Sequence, residues 1–337
     1  MKSLNKLCYL NKKHAALFGV SVLLILVAGL KPVGFDRDSL NYVQILNSPV
    51  TGIFNNIKEP FYLLIIKLNG LVFSGSPTGF FLMFAILGVS LKIYAIGRLS
   101  LIPLVSVSIY ISLFFILHEM TQVRAGVASA LFLLALVDLT AGHKLNFVLK
   151  IVLGTMFHFS AIIGLAIIRL DATTINKPFY LALPIVGIGL EIFLPIISIL
   201  EYAVGFAPAF IGYKLELYLT LLKDGRHSSI NVFNFYYLSV LAVYYYAIFK
   251  SDYFKSKYDI LLLKITGIML FSFYSLSSMP VLSFRISEYF GVVLIILLAN
   301  MTLMFRQKFV YILVLQAWLF VYFFGLMLPQ NLDFGVF

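Results

Sequence analysis

Long apolar stretches recur along almost the whole chain and constrain its fold more than any other feature of the sequence. A helix that crosses the hydrocarbon core of a bilayer needs about 20 mainly apolar residues. Stretches that approach this length occupy residues 15–30, 79–96, 101–117, 126–141, 147–168, 179–200, 232–249, 260–279, 289–305 and 310–328. The sequence therefore predicts an all-α, polytopic integral membrane protein with about 9 to 11 transmembrane helices.

The composition excludes a water-soluble protein. The 337 residues are 61% hydrophobic and 12% charged, whereas soluble domains are about 45–50% apolar and about 25% charged. No internal repeat, low-complexity tract or linker interrupts the apolar pattern, so we expect a single integral membrane domain over residues 1–337. The one cysteine, Cys8, allows no internal disulfide bond.

Basic residues set the expected orientation in the membrane. The chain carries 25 Lys and Arg against 14 Asp and Glu, and this excess at the ends of apolar stretches indicates cytoplasmic loops rather than a nucleic-acid partner. Lysines also precede the first stretch, which we interpret as a retained signal anchor rather than a cleaved signal peptide, with a cytoplasmic N-terminus. The later clusters are Lys92/Arg98, His143/Lys144, Arg169/Lys177, Lys250/Lys255/Lys257/Lys264 and Arg306/Lys308.

All of these clusters face the cytoplasm if two of the apolar segments do not cross the membrane. Residues 59–73 are short and partly polar, which predicts an amphipathic helix at the periplasmic surface. Residues 147–168 have basic residues at both ends and are expected to form a re-entrant pair of half-helices, with His158 and Ser160 near the turn. Residues 179–200 are the alternative irregular segment. The topology with residues 59–73 and 147–168 not crossing leaves the C-terminus in the periplasm.

Under this topology the carboxylates and arginines lie mainly on the periplasmic side, and the cytoplasmic side is mostly lysine. Ionisable groups in or near the hydrocarbon are costly and are functional candidates by default. The periplasmic set comprises Asp36, Asp38, Glu59, Glu119, Arg124, Glu201, Glu216, Asp224, Arg226, Arg285 and Glu288. We therefore expect a site that combines carboxylates with guanidinium groups at the periplasmic face.

The acidic candidates each have a structural interpretation beside the functional one. Asp38 either acts as a general base or caps the helix that follows it. Tyr42 would share a helix face with Asp38, and Asp36 would share a side with it in an extended loop. Glu59, directly before Pro60, either takes part in chemistry or is an ordinary acid at a helix N-terminus.

The same alternatives apply to the later candidates. Arg124 either pairs with Glu119 or binds a diphosphate through its planar donor fork. Arg285 and Glu288 offer the same choice between an ion pair and a substrate contact. His158 is either a buried core residue or a catalytic group. The five histidines show no paired ligand spacing, so we expect no metal site.

Taken in order, these motifs resemble the EpsG family, the Wzy-like polymerases of bacterial exopolysaccharide and O-antigen repeat units. The likeness rests on the loop from Gly34 through Asp36 and Asp38 to Tyr42, on Glu59-Pro60, on Gln122-x-Arg124-x-Gly126-x-Ala128, on Phe157-His158-x-Ser160-Ala161, and on Arg285 with Glu288, Tyr289 and Phe290. Ala125 departs from the family pattern, which often has Gln there. A more distant likeness is to GT-C membrane glycosyltransferases, which place an acidic residue in the first outer loop.

The resemblance implies a glycosyltransferase of the bacterial inner membrane that joins repeat units carried on polyprenyl diphosphate. It implies the catalytic candidates Asp38, Asp36, His158 and Glu59, and the substrate-binding candidates Arg124, Arg285, Gln122, Tyr42, Glu288 and Tyr289. Membrane lipid surrounds the site, and a chain-length regulator is the expected protein partner. No cofactor, metal or nucleic acid is expected.

Three other functions fit parts of the pattern. A transporter or flippase of lipid-linked oligosaccharide would also contain broken helices, although such proteins often show internal repeats that this sequence lacks. A GT-C-like transferase would add a single sugar rather than a polymer. A membrane O-acyltransferase would also have about ten spans with a functional His and Arg, but its usual N-terminal Arg and His pattern is not found.

Overall fold

The computed structural model describes residues 2–48, 59–194, 201–202, 204–206, 212, 216, 219–220 and 230–332, with side chains from residue 14 onward. Regular structure in these ranges is helical, apart from an antiparallel bridge between Asp36 and Leu332. The chain divides into two compact units, which are Met1–Leu170 with Leu294–Phe337, and Asp171–Val293. The predicted all-α fold class is confirmed.

Helices follow one another with short connections. In chain order they are α1 (Lys2–Gly29), α2 (Ser39–Leu46), α3 (Pro60–Phe73), α4 (Pro77–Leu99), α5 (Pro103–Tyr110), α6 (Val123–Thr140), α7 (Lys144–Phe157), α8 (Lys177–Phe193), α9 (Phe235–Phe249), α10 (Asp259–Ser275), α11 (Pro280–Gly291), α12 (Leu294–Met301), α13 (Lys308–Tyr322) and α14 (Leu328–Asn331). The π-helical segments Ile111–Thr121 and Phe323–Met327 continue α5 and α13. The 3₁₀ segments are Phe159–Ile167, Ser251–Tyr253 and Thr302–Met304.

Several helices are long and apolar enough to cross a bilayer, so the chain is a multi-pass membrane protein. Within the described ranges there are four of them: Pro77–Leu99, Pro103–Thr121, Val123–Thr140 and Lys308–Asn331. Pro280–Gly291 and Leu294–Met304 add a fifth if this bent pair is one span. Other predicted stretches form shorter apolar helices, which are His14–Gly29, Pro60–Phe73 and Phe235–Phe249. The orientation in the membrane stays a prediction.

Helix boundaries follow ordinary capping chemistry. Ser76 precedes α4, and its side chain accepts a hydrogen bond from the Gly79 N–H, while Pro77 occupies the first helical position. Asn176 caps α8 and Asn234 caps α9 in the same way. These short polar residues satisfy N–H groups that would otherwise lack a partner at the start of a helix.

The helix of residues 147–168 breaks where the sequence predicts. α7 ends at Phe157, His158 is extended with φ −149° and ψ 114°, and a 3₁₀ segment follows from Phe159. The 3₁₀ segment packs back against α7. Two half-length elements joined at His158 are therefore present, and their re-entry into the bilayer stays a prediction.

Helix α3 corresponds to the predicted surface helix. One face is buried through Tyr62, Ile65 and Asn69, whereas Leu71 and Val72 on another face are exposed. Tyr62 packs with rings from α2 and α4 into an aromatic cluster that comprises Tyr42, Tyr62, Phe80, Phe81 and Phe84. This cluster fixes α3 against the bundle, and the location of the helix at a membrane surface stays a prediction.

The alternative irregular segment, residues 179–200, is only partly described. Pro184 lies inside α8, which continues as a helix to Phe193. Pro195 lies outside the described residues, as do the predicted periplasmic residues Asp224 and Arg226.

Close packing between α8 and α10 of the second unit leads to a stability prediction. A Cβ at Gly187 would lie 2.9 Å from the carbonyl oxygen of Phe271, whereas a Cβ at Gly189 would meet nothing within 4 Å. Gly187→Ala is expected to lower the free energy of unfolding by about 1–3 kcal/mol, because overpacking displaces backbone. Gly189→Ala is the matched control and should gain up to about 1 kcal/mol from helix propensity. Equal thermal midpoints in detergent would contradict this packing.

Candidate functional site

The ion pair between Glu59 and Arg124 joins two segments that are 65 residues apart in the sequence. Glu59 immediately precedes α3, and Arg124 lies in the first turn of α6. The Arg124 Nη1–H donates to Glu59 Oε2. The Glu59 side chain is 11% exposed and the Arg124 side chain 28%, so the carboxylate is the deeper of the two partners. The pair therefore leaves part of the guanidinium at the surface.

The break after α7 supplies further partners to the same carboxylate. His158 Nδ1 lies 3.3 Å from Glu59 Oε1, and the Phe159 N–H donates to that oxygen at 3.1 Å. Burial by itself would raise the pKa of Glu59, but the hydrogen bond with His158 and the charge of Arg124 outweigh it and hold the pKa at about 2. Glu59 is consequently ionised at neutral pH, with both oxygens occupied.

Two tyrosine rings surround the guanidinium. The Arg124 Cζ lies 4.7 Å from the ring centroid of Tyr62 and 5.9 Å from that of Tyr42. Both distances fall in the range of cation–π attraction. Burial raises the pKa of Tyr42, against the opposing charge and hydrogen bond of Arg124, so its hydroxyl stays protonated. Arg124 is thereby held by a carboxylate and by the faces of two aromatic rings.

Asp36 and Asp38 take different roles, although they are two residues apart. Asp38 occupies the N-cap position of α2, yet its side chain makes no capping hydrogen bond. The capping acceptor is Asp36, whose Oδ1 accepts from the N–H groups of Asp38 at 3.2 Å and of Ser39 at 3.1 Å. Asp36 Oδ2 is bound by Lys31 Nζ at 2.5 Å, and both side chains are buried. The prediction that Asp38 caps the helix is therefore wrong.

Asp38 keeps a partly exposed carboxylate next to the site. Its side chain is 33% exposed, and the nearest cation is Arg37, whose Nε lies 3.9 Å away. Burial raises the pKa of Asp38 above its ordinary value, against the charges of Arg37 and Arg124 and with the help of Asp36. A carboxyl group with a raised pKa is a better proton acceptor at neutral pH than an ordinary aspartate.

Glu119 does not pair with Arg124, as one interpretation of the sequence expected. Its Oε1 accepts from Lys92 Nζ at 2.7 Å, and both side chains are buried inside unit 1. Lys92 lies well inside α4, so only Arg98 of the predicted Lys92/Arg98 cluster marks the end of that helix. The prediction failed because sequence spacing favours the nearby Arg124, whereas helix packing brings Lys92 closer.

The remaining predicted residues divide between the two units. Gln122 is the single residue between the π-helical segment and α6, two positions before Arg124. Arg285, Glu288 and Tyr289 all lie on α11 in the second unit. Arg285 is exposed and Tyr289 is buried. Their participation in one site with Arg124 stays a prediction.

Several side chains and main-chain groups that contact the candidate site residues were not identified in the sequence analysis. Tyr62 and the Phe159 N–H carry no motif of their own and emerge only from the packing of α3 on α4 and the break at His158. Lys31 and Lys92 had a usable signal, because lysines beside or within apolar stretches are costly and need a specific partner. No group of three or more His, Cys, Asp or Glu side chains in the described part of the chain is arranged to hold a metal ion.

The site thus defines a class of protein: a multi-pass membrane protein with a carboxylate, imidazole and guanidinium cluster at the end of a helix bundle. The EpsG family profile matches residues 15–333, and the chain belongs to the EpsG family. The resemblance found in the motifs is confirmed, and the membership links the protein to exopolysaccharide biosynthesis. The comparison with curated proteins and the comparison with solved structures gave no match.

The depressed pKa of Glu59 gives a pH-dependent stability. A carboxyl group with a folded pKa near 2 and an ordinary unfolded pKa of about 4.3 stabilises the fold fully above the unfolded value. That contribution falls as the pH drops from about 4.3 towards 2, since the unfolded chain takes up the proton first. Glu59→Gln should therefore lower the thermal midpoint in detergent at pH 7, and the deficit should shrink at pH 3.

The control for this experiment is Asp252→Asn. Asp252 pairs with Lys177 but is 77% exposed, so its loss should change the midpoint little at any pH. A deficit of Glu59→Gln that is equally large at pH 7 and pH 3 would contradict the ionised state of Glu59.

Proposed function

We propose that the protein polymerises oligosaccharide repeat units carried on polyprenyl diphosphate, as a glycosyltransferase acting at the periplasmic face. The observation that carries the proposal is the convergence of Arg124, Glu59, His158 and Asp38 within one unit. A guanidinium is suited to a diphosphate, and partly exposed carboxylate and imidazole groups are suited to an acceptor hydroxyl. Membership in the EpsG family supports the same substrate class.

The proposed reaction exchanges one bond at the anomeric carbon. The acceptor hydroxyl oxygen forms the new glycosidic bond, and the bond between the donor anomeric carbon and the diphosphate oxygen breaks. The electron pair of that bond leaves with the lipid diphosphate, and the hydroxyl proton goes to the general base. The reaction needs a stabiliser for the growing negative charge and an acceptor for one proton.

Arg124 is the proposed stabiliser of the leaving diphosphate. Its Nη1–H binds Glu59, and a guanidinium has five N–H donors in a planar fork. The side chain is partly exposed, which allows remaining donors to reach an incoming phosphate oxygen. Tyr42, Tyr62 and Glu59 hold the guanidinium in one orientation, so less reorganisation is needed when charge develops.

Asp38 or His158 is the proposed general base, while Glu59 positions the other groups. Both Glu59 oxygens already accept hydrogen bonds, and its low pKa makes it a poor proton acceptor. Asp36 is likewise occupied by Lys31 and the start of α2. Asp38 has the raised pKa and the partly exposed carboxylate that a general base requires. In α11, Arg285, Glu288 and Tyr289 remain candidates for sugar and diphosphate contacts, and Gln122 for sugar contacts.

Loss of Arg124 tests the proposal directly. In a strain that lacks the chromosomal gene, Arg124→Ala is expected to reduce polymer formation about 100-fold or more, as removal of a preorganised charge stabiliser does. The lipid-linked repeat unit should accumulate while the protein stays in the membrane. The readout is the ladder of glycan chain lengths on a gel together with the amount of lipid-linked unit.

Arg98→Ala is the matched control, since Arg98 is an exposed arginine in the last turn of α4. It should keep a normal ladder. A normal ladder in Arg124→Ala would contradict the proposal. If the strain complemented with the wild-type gene makes glycan of a single unit and no ladder, the result supports a transferase that adds one sugar. If the repeat unit stays on the cytoplasmic leaflet in the knockout, the result supports a flippase.

Substitution of Asp38 should affect activity, whereas substitution of Asp36 should affect stability. Asp38→Asn should preserve the thermal midpoint and reduce polymer formation at least about 100-fold, if it removes the general base. Asp36→Asn should lower the free energy of unfolding by about 3–5 kcal/mol, because it leaves Lys31 as an uncompensated buried charge. The measurements are thermal unfolding in detergent and polymer formed per folded protein. Full activity in Asp38→Asn would transfer the base assignment to His158.

A further inference from the structure

A charged cluster that the proposed reaction does not use is buried between the helices of unit 1. Lys92 Nζ on α4 donates to Glu119 Oε1 at 2.7 Å and lies 3.3 Å from His118 Nδ1. Ser129 Oγ on α6 lies 3.2 Å from the same nitrogen. The Lys92 and Glu119 side chains are at most 1% exposed. Such groups are expensive within a membrane bundle, so their presence needs a reason.

Glu119 occupies a slot that two glycines leave open. It lies in the π-helical segment Ile111–Thr121. In a π-helix the main-chain hydrogen bonds join residues five apart rather than four, and π-helical turns are frequent at functional sites. A Cβ at Gly88 would overlap Glu119 Oε2, and a Cβ at Gly126 would crowd the same oxygen. The absence of a side chain at Gly88 therefore leaves the space that the carboxylate fills, and a Cβ at Gly126 would lie closest to the carbonyl oxygen of His118.

A second buried lysine holds the next residue of this segment. Lys31 Nζ donates to the carbonyl oxygen of Met120 as well as to Asp36. Two ammonium groups thus bind consecutive residues of one helical turn, Lys92 through the side chain of Glu119 and Lys31 through the main chain of Met120. Rotation or sliding of the turn would break both contacts.

This turn leads directly to the site arginine. Gln122 is the only residue between the π-helical segment, which ends at Thr121, and α6, which begins at Val123. The Gln122 N–H donates to the carbonyl oxygen of Leu117 at 2.7 Å, and the carbonyl oxygen of Gln122 accepts from the Gly126 N–H at 3.0 Å. Main-chain hydrogen bonds therefore hold both sides of the junction. Glu119 is thus connected, through a short hydrogen-bonded junction, to the start of α6, which carries Arg124.

We infer that Lys92 and Glu119 are positioning residues that set the register of the π-helical turn and so aim Arg124 at its substrate. The inference rests on the proposed function, because it assigns Arg124 a substrate. Stability alone explains the pair poorly, since a buried ion pair is often no more stabilising than apolar residues of the same volume, whereas a fixed register is a well-attested use of buried charge. A misplacement of about 1 Å at a catalytic group can cost about 100-fold in rate.

The first test moves Glu119 without changing any charge. Gly88→Ala places a methyl group against Glu119 Oε2, whereas Gly97→Ala on the same helix meets only Leu17 at 3.8 Å. Both are made in the wild type and in Arg124→Lys, and kcat and KM are measured with purified lipid-linked repeat unit. In the wild type, Gly88→Ala should lower kcat/KM about 10-fold to 100-fold. In the Arg124→Lys background it should lower kcat/KM much less, because the lysine cation does not occupy the position of the guanidinium. Gly97→Ala should change neither background.

The second test removes both charges at once. Lys92→Met with Glu119→Gln leaves no unpaired buried ion and should keep the thermal midpoint near that of the wild type. If the pair positions Arg124, this double variant is folded but has reduced kcat/KM. The double variant also tests whether the pair positions Arg124 if the Gly88→Ala protein does not reach the membrane.

Two results would overturn the inference. One is a folded double variant with full activity. The other is an equal fold-loss from Gly88→Ala in the wild type and Arg124→Lys backgrounds, which would mean that the pair acts independently of Arg124. A wild-type protein that forms no polymer from the purified unit would instead contradict the proposed function.

Discussion

The hydrogen-bonded ion pair of Glu59 and Arg124 is the interaction on which the site depends. It connects the start of α3 to the start of α6, and His158 with the Phe159 N–H adds the end of α7 to the same carboxylate. Three segments that are distant in the sequence thus meet at one ionised group. Burying that group is costly, and the cost is offset because each oxygen receives its own donors. The guanidinium gains a fixed orientation from this arrangement, and its remaining surface faces outward.

The break in the helix at His158 illustrates how a local irregularity serves the site. A continuous helix would use the Phe159 N–H internally, and no main-chain donor would reach Glu59. Because His158 is extended, the following N–H is released for the carboxylate and the imidazole turns towards it. Irregular backbone in a membrane protein is tolerated where it is surrounded by protein or a polar cavity. The exposed edge of Arg124 and the ionised Glu59 provide such polar surroundings.

The sequence predicted much of this architecture. Apolar length predicted a helical membrane protein, loop charge predicted α3 and the break near His158, and the ordered motifs identified Arg124 and Glu59 as candidates. Partner choice was not predictable, because it depends on which helices pack together. Glu119 lies five residues from Arg124 in sequence but binds Lys92, which lies on α4. The capping role falls to Asp36 rather than Asp38, and the buried Lys31 binds the other oxygen of Asp36. The position of Lys31 beside an apolar stretch indicated that it needs a partner, but not which one.

Ion pairing within unit 1 distinguishes Asp38 from the other acidic residues as the proposed general base. Among the described acidic side chains of that unit, Asp36, Glu59, Glu119 and Asp138 each have a cation in hydrogen-bonding contact, namely Lys31, Arg124, Lys92 and Lys150. Asp38 differs, because its nearest basic group is the exposed Arg37 at 3.9 Å. Burial raises the pKa of Asp38, and the neighbouring charge of Asp36 adds to this shift. Because the other four carboxylates are engaged in close ion pairs, we propose Asp38 as the proton acceptor of the reaction.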